Sequence, residues 1–517
     1  MIGDRVAANP SLAGVGRLPI KAMALTLACA LAPIAHGAEA QSSSVEKRLQ
    51  ALEQRQSQLE QEVKERDARI KQLESERAPA AAMTSPTPAA TAQAVAADAA
   101  PAPPAVSLPT SDKAVEPAPG LGRYKFGTGL VLARGSLGEL DYGLTTYVRY
   151  LNQMDLDPTF TDSFGRTNTL DRREDIQLNK VSLNFKGWMF DEAFRYLLFV
   201  WTANATQGQG AQVEVAGFIS YAFNEHFALF GGVGALPTTR STMYTYPNWL
   251  RVDNRTIADE FFRGSYTNGI WAQGEIADNL YYRAMVGQNL SVLGVDAGQL
   301  ASGLNTYSGA LWWMPTTGEY GPSMSFGDFE DHQNVATLFG ASFTRSREDA
   351  ESQPSVNAFE NTQLKLSDGT RVFQPNAFNT GGQILEATYQ MFSMNAGVKY
   401  RGWTFDAEYY HRQIDDFAVT GIVPVDGLND SGFQVQASVM AVPQTLQLYA
   451  SGSKIFGQYG DPYDVALGMN WFPFKRREVR ANVQGLYLDR SPVGYLSVPF
   501  AAGGTGWVFT TDFVFAF

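Results

Sequence analysis

Three arginines and three carboxylates crowd one connecting stretch of this chain. Arg240, Arg251, Asp253, Arg255, Asp259 and Glu260 lie within 236–261, beside Tyr244, Tyr246 and Trp249. Guanidinium groups present planar, permanently charged forks of N–H donors that suit carboxylates and phosphates. The chemistry this implies is recognition of anions, not bond-making. The four histidines, at 36, 226, 332 and 411, have neither metal-ligand spacing nor the serine neighbourhood of a hydrolase. Asp415 and Asp416 follow His411 where a loop begins, the usual place of solvated acids. The single cysteine, Cys29, falls in a segment expected to be removed, which leaves no disulfide and no cysteine metal site. A phosphate-cradling glycine loop and a basic-aromatic strip for nucleic acid are both missing from the sequence. The chain is therefore read as a non-enzyme with no cofactor, no metal and no nucleic-acid partner.

What must position those charges is visible at the chain's end. In Trp507 to Phe517, period two puts Trp507, Phe509, Thr511, Phe513, Phe515 and Phe517 on one face and Val508, Thr510, Asp512, Val514 and Ala516 on the other. A strand of a closed barrel in lipid needs such an aromatic outer face and a small or polar inner one. Sixteen alternating segments run from 141–152 to 507–517, and the connections between them follow a rhythm. Those after odd segments are long and those after even segments mostly minimal, such as Ala277-Asp278, Arg401 and Val442-Pro443. Long loops alternating with short turns predict an all-β fold: a sixteen-stranded antiparallel transmembrane β-barrel with both ends in the periplasm. The connection 315–333 breaks the rhythm, and 124–134 is a further candidate pair that would raise the count to eighteen.

Alternation also sorts charges between lipid and lumen. Arg149, Lys180, Lys186, Arg283, Lys399, Arg401, Arg412 and Arg480 are expected to point inward as pore-lining bases, against the acids Asp406, Glu408, Glu478 and Asp512. The lumen thus leans cationic although the whole chain carries −12, and a pore selects by the charges that line it. The stretch 236–261 joins the fifth and sixth segments and is expected to fold inward as a constriction loop.

Three regions precede the barrel. Residues 1–40 read as a signal peptide, with Arg17 and Lys21 before the apolar run Ala22 to Ala35 and Ala38-Glu39-Ala40 at the cleavage site. Residues 41–77 form a coiled coil, with Leu49, Gln56, Val63 and Ile70 alternating with Val45, Leu52, Leu59, Arg66 and Leu73. Residues 78–120 are an Ala/Pro-rich linker that cannot bury a core, and 121–517 make the barrel. The chain is expected in the bacterial outer membrane with its N-terminal region in the periplasm.

The stretch Leu178-Asn-Lys-Val-Ser-Leu-Asn-Phe-Lys-Gly187 and the turn-strand unit from Phe218 through Gly234 resemble the phosphate-selective porin O and P family, many of whose members carry an N-terminal coiled coil. The resemblance implies a homotrimer in outer-membrane lipid that passes anions. Where that family has a lysine-bearing Gly-Gln-x-Lys-x-Pro-Phe stretch, this chain reads Gly231-Gly-Val-Gly-Ala-Leu-Pro237, so phosphate specificity is not carried over. The expectation is a water-filled channel for passive diffusion of small, anionic solutes. The alternative is an outer-membrane anchor whose coiled coil contacts peptidoglycan in the cell-wall layer.

Overall fold

The computed structural model describes residues 123–125, 129–203, 212–243, 248–296, 298–300, 303–354, 362–495 and 498–517. The expected signal peptide, coiled coil and linker lie outside them. Twenty strands follow one another: β1 (Arg123–Lys125), β2 (Gly129–Gly135), β3 (Gly138–Asn152), β4 (Thr159–Thr161), β5 (Thr167–Thr169), β6 (Glu174–Met189), β7 (Asp191–Ala203), β8 (Gln212–Asn224), β9 (Phe227–Ala235), β10 (Tyr266–Ala277), β11 (Leu280–Gly287), β12 (Thr306–Trp313), β13 (Ala336–Asp349), β14 (Gln383–Tyr400), β15 (Trp403–Thr420), β16 (Leu428–Val442), β17 (Leu446–Phe456), β18 (Tyr463–Trp471), β19 (Val479–Asp489) and β20 (Gly506–Ala516).

Sixteen of these close an antiparallel barrel. From β6 to β20 each barrel strand pairs with its neighbour in sequence, and β20 returns to pair with β3. Closure leaves no exposed edge, so every wall strand has both ladders filled, as a membrane span requires. The short hairpin β4–β5 stands apart in the first long connection. The β1–β2 hairpin does not enlarge the barrel. Its strand β2 pairs with β3 from Tyr142 to Gly138, just past the point where Phe517 and Leu144 exchange backbone hydrogen bonds of 2.9 and 3.0 Å. β2 and β20 thus share one edge of β3 in tandem.

The two faces separate as the alternation requires. Along β20, Trp507, Phe509 and Phe513 are exposed while Val508, Thr510 and Asp512 are buried. Outward rings gather at two heights: Trp313, Phe339, Tyr400, Trp403 and Trp471 near the short-turn end, and Tyr150, Tyr307, Phe456 and Trp507 near the long-loop end. Between them lies aliphatic surface such as Val465 and Leu467. Aromatic girdles bracketing an apolar band are the outside of a lipid-embedded barrel.

Two departures from the expected segments matter for the interior. The sixth barrel strand begins at Tyr266 and not at 262, because 257–262 forms a short helix, α1 (Ile257–Phe262). In addition, β14 and β15 extend well past the bilayer-sized core toward the long-loop end.

Leu467 is 61 % exposed on the outer face of β18. Leu467→Arg is expected to destabilise the folded protein in phospholipid vesicles by about 2–4 kcal/mol, the cost of a cation near the bilayer midplane. A denaturant titration showing no shift would mean that this face does not meet lipid.

Candidate functional site

The inward charges sit in a belt around the barrel's interior, and they sit there in pairs. Arg149 Nε lies 2.6 Å from Asp512 Oδ1, a directly opposed pair across the β3–β20 seam that closes the barrel. Arg412 Nη2 lies 2.6 Å from Asp430. Lys180 Nζ lies 2.7 Å from Asp253. Arg149, Lys180, Arg283, Lys399, Arg412 and Arg480 are all buried. Lys186 faces inward half-buried, in register with Asp141. Arg401 requires a correction: it occupies a two-residue turn with Gly402 at φ 48° and 79°, and its side chain is exposed. A left-handed turn turns that position away from the lumen.

The wall also carries acids beyond Asp406, Glu408, Glu478 and Asp512, with Asp141, Asp430 and Asp464 buried. A buried charge without a partner costs several kcal/mol, so the wall supplies acids where it supplies bases. Arg283 lies 5.0 Å from the Trp271 ring. Lys399 Nζ donates to Tyr320 O at 2.8 Å and Ser325 Oγ at 3.4 Å rather than to a carboxylate.

The described parts of this loop, residues 236–243 and 248–265, fold into the lumen, and their charges fasten them to the wall. Arg240 forms an ion pair with Asp406 of β15, and its backbone N–H donates to Glu408 at 2.9 Å. Arg251 Nη2 lies 2.7 Å from Asp464 of β18 while its Nε donates to Ser451 at 2.8 Å. Asp253 reaches the opposite wall at Lys180 and Asn179 of β6. Backbone carbonyls add to the clasp: Arg480 donates to Trp249 O at 2.6 Å, Asn470 to Leu250 O at 3.0 Å and Arg149 to Val252 O at 2.8 Å. Arg255 lies over the Trp249 ring at 4.2 Å and pairs with Glu260 at 3.3 Å. Glu260 is held further by Arg263 at 2.6 Å and the Tyr495 hydroxyl at 2.7 Å.

Helix α1 forms where Thr256 accepts a hydrogen bond from Asp259 N at 3.3 Å, and Asp259 and Glu260 favour its first turn. Its free N–H groups are satisfied by the wall, Ile257 N by Asp464 at 3.3 Å and Ala258 N by Ser453 at 3.0 Å. On its apolar side Phe262 stacks on Tyr410, and the Arg412 guanidinium lies 4.0 Å from the Phe261 ring.

A second segment enters from the other end. The connection 314–335, where the turn rhythm breaks, packs inside the barrel with Tyr320, Met324, Phe326 and Asp328 buried. Arg240 is where the two segments meet. Its guanidinium lies 4.2 Å from the Phe326 ring and 5.1 Å from Tyr320, and donates to Met324 O at 3.0 Å. The space bordered by Arg240, Phe326, Asp406 and Glu408 has no room for a water molecule, and a neighbouring cavity beside Arg251, Arg255 and Asp259 holds about 10 Å3. Arg240 and Phe326 thus pack against the β15–β16 wall with no water-sized gap between them. At the long-loop end 362–378 also packs inward, with Leu364, Leu366, Val372 and Phe378 against Ile384, Tyr389 and Ile414.

Asp464 and Asp430 escaped the sequence reading. Asp464, Ala466, Gly468 and Asn470 alternate with Val465, Leu467, Met469 and Trp471, so the inner face of β18 was legible. Asp430 lies before the expected start of its strand, which begins at Leu428. Tyr320 and Phe326 carry no periodic signal. Asp328, Glu330 and His332 could together face one ion, yet Glu330 is paired with Arg477 at 2.7 Å and Asp328 accepts from His332 and from Gly402 N at 2.8 Å. This cluster is a latch for the root of 314–335.

His332 also contacts Glu319 at 2.7 Å. Burial alone would lower the His332 pKa, but hydrogen bonds to Asp328 and Glu319 outweigh it and raise the value to about 9. The folded chain favours the imidazolium. Its contribution to stability is therefore complete below the ordinary value of 6.5 and is lost as pH rises through about 9. Denaturation midpoints of the vesicle-inserted protein should fall across that window and stay flatter in His332→Gln; an equal fall in both would contradict the latch.

No family model matches the chain, and no curated protein is similar to it. Among solved structures it is similar to outer-membrane expressed OmpT of Vibrio cholerae, at 11 % identity over 75 % of this chain and 100 % of that one, with a TM-score of 0.44. An anion-selective porin from Comamonas acidovorans is 10 % identical over 74 % of this chain and 99 % of its own, with a TM-score of 0.44. The outer membrane channel DcaP of Acinetobacter baumannii is 7 % identical over 75 % of this chain and 100 % of its own, with a TM-score of 0.45. Similarity at this level names no function for the chain.

Proposed function

We propose that this chain is an outer-membrane channel for passive diffusion of small solutes, with a weak preference for anions. The observation that carries the reading is the inner wall itself. From Arg412–Asp430 near one end to Lys399 near the other, a closed barrel presents charges and amides inward, and a charged segment narrows its lumen. A barrel that only anchored something would need the lipid-facing band but could fill its interior with apolar side chains. Lys399, bonded to a carbonyl and a hydroxyl, supports the anionic lean. In this reading the barrels form a homotrimer, the signal peptide 1–40 directs export, and the coiled coil 41–77 lies in the periplasm on the linker 78–120. Phosphate specificity is not part of it.

Purified mature protein in planar bilayers should give stepwise conductance and, in a salt gradient at about 0.1 M, a reversal potential on the anion side that fades near 1 M, where the screening length is about 3 Å. Lys399→Gln should move it toward cations. A cation-selective unmodified channel would overturn the anionic lean. Silent bilayers from a correctly folded barrel would favour the cell-wall anchor.

A further inference from the structure

The connection 314–335 stands out among the described residues at the short-turn end. Its neighbours there are tight turns, such as Arg401–Gly402 and the three residues between β16 and β17, whereas this segment rises into the lumen. Its contacts are with the inserted segment as much as with the wall. Phe326 N donates to Asn248 O at 3.0 Å, and Arg240 donates to the carbonyls of Met324 at 3.0 Å and Ser325 at 3.4 Å. The Tyr320 hydroxyl donates to Asp406 at 2.9 Å, the same carboxylate that pairs with Arg240. Gly327, at φ 81°, lies against Leu250 of the inserted segment and the Gln447 side chain of β17.

Building on the channel reading, we propose that 314–335 is the second wall of the constriction and its movable part, with Tyr320 and Phe326 setting the width of the passage against Arg240. The barrel does not depend on it. β12 and β13 hold each other through eight consecutive pairs, Thr306↔Ser346 to Trp313↔Phe339, so the segment can withdraw toward the short-turn end without breaking a wall ladder. It is held by polar contacts, the Arg240 hub, Lys399 to Tyr320 O, Arg477 to Glu330 and the His332 latch, and by small separate apolar clusters in which Phe326 meets Trp249, Leu250 and Tyr449 and Phe329 meets Met440 and Phe472. Its backbone is neither helix nor strand over most of its length and turns through positive φ at Gly318, Gly321, Ser323, Met324, Gly327 and Asp331. Solute size would then be discriminated by two rings on a turn, not by the rigid wall.

The test compares unit conductance of the full mature chain with two variants in the same bilayers: one with 318–334 replaced by Gly-Asn-Gly, and the milder Tyr320→Ala, Phe326→Ala pair. The replacement joins a point where Thr316 and Thr337 are already hydrogen-bonded. Both variants are expected to raise unit conductance roughly twofold or more, because a narrow constriction dominates the resistance of a pore. Unchanged or smaller steps from a heat-modifiable, folded point variant, beside a conducting parent, would overturn the proposal and leave the channel reading intact. Silence from the parent and both variants would overturn the two together.

Discussion

A charge that points into a barrel must meet its opposite there. Desolvating a lone carboxylate or guanidinium costs several kcal/mol, and a wall strand cannot rotate to return one side chain to water without sending its neighbours into the wrong face. The β3–β20 seam shows the constraint at its simplest. Arg149 and Asp512 lie opposite each other in the pairing that closes the sheet, and both side chains are fully buried. The same constraint decides where the inserted segment can lie. Asp253 is drawn to Lys180 on β6, Arg251 to Asp464 on β18 and Arg240 to Asp406 on β15. Three attachments at three places around the ring fix the position of a stretch that has little regular structure of its own.

That dependence reverses the meaning first given to the arginines of 236–261. Read as a sequence, they are donors waiting for passing anions; in the folded chain Arg240 and Arg251 each have a wall carboxylate. Side-chain period alone cannot show this, because it says which face a residue occupies and not which distant strand lies across from it. The wall was far more legible than its contents. Lipid and lumen impose opposite demands on alternate residues, so β20 and β15 read correctly from one strand of text. The helix α1 was marked by Thr256 and Asp259 at capping spacing, a signal diluted by the strand-like run of aromatics that follows. Tyr320 and Phe326 left no trace, since an irregular segment has no period and its packing is decided by partners more than eighty residues away, Asp406 among them. Arg401 misled because inward parity was carried one residue past the end of β14, into a turn.

The rigid and the movable parts of the molecule are thereby separated. The ladder of backbone hydrogen bonds belongs to the wall, which would stand without either inserted segment. The narrowing belongs to side-chain contacts between two segments that enter from opposite ends and meet at Arg240. A channel built in this way can change its width without changing its barrel.

The claim beneath all of this is that wall-to-loop ion pairs hold the constriction in place. A double-mutant cycle on Arg251 and Asp464, read as folding stability in phospholipid vesicles, tests it most directly. The account predicts a coupling of about 1.5 kcal/mol or more, as measured for close, desolvated charge pairs. Additive effects of the two single substitutions, with coupling near zero, would contradict it.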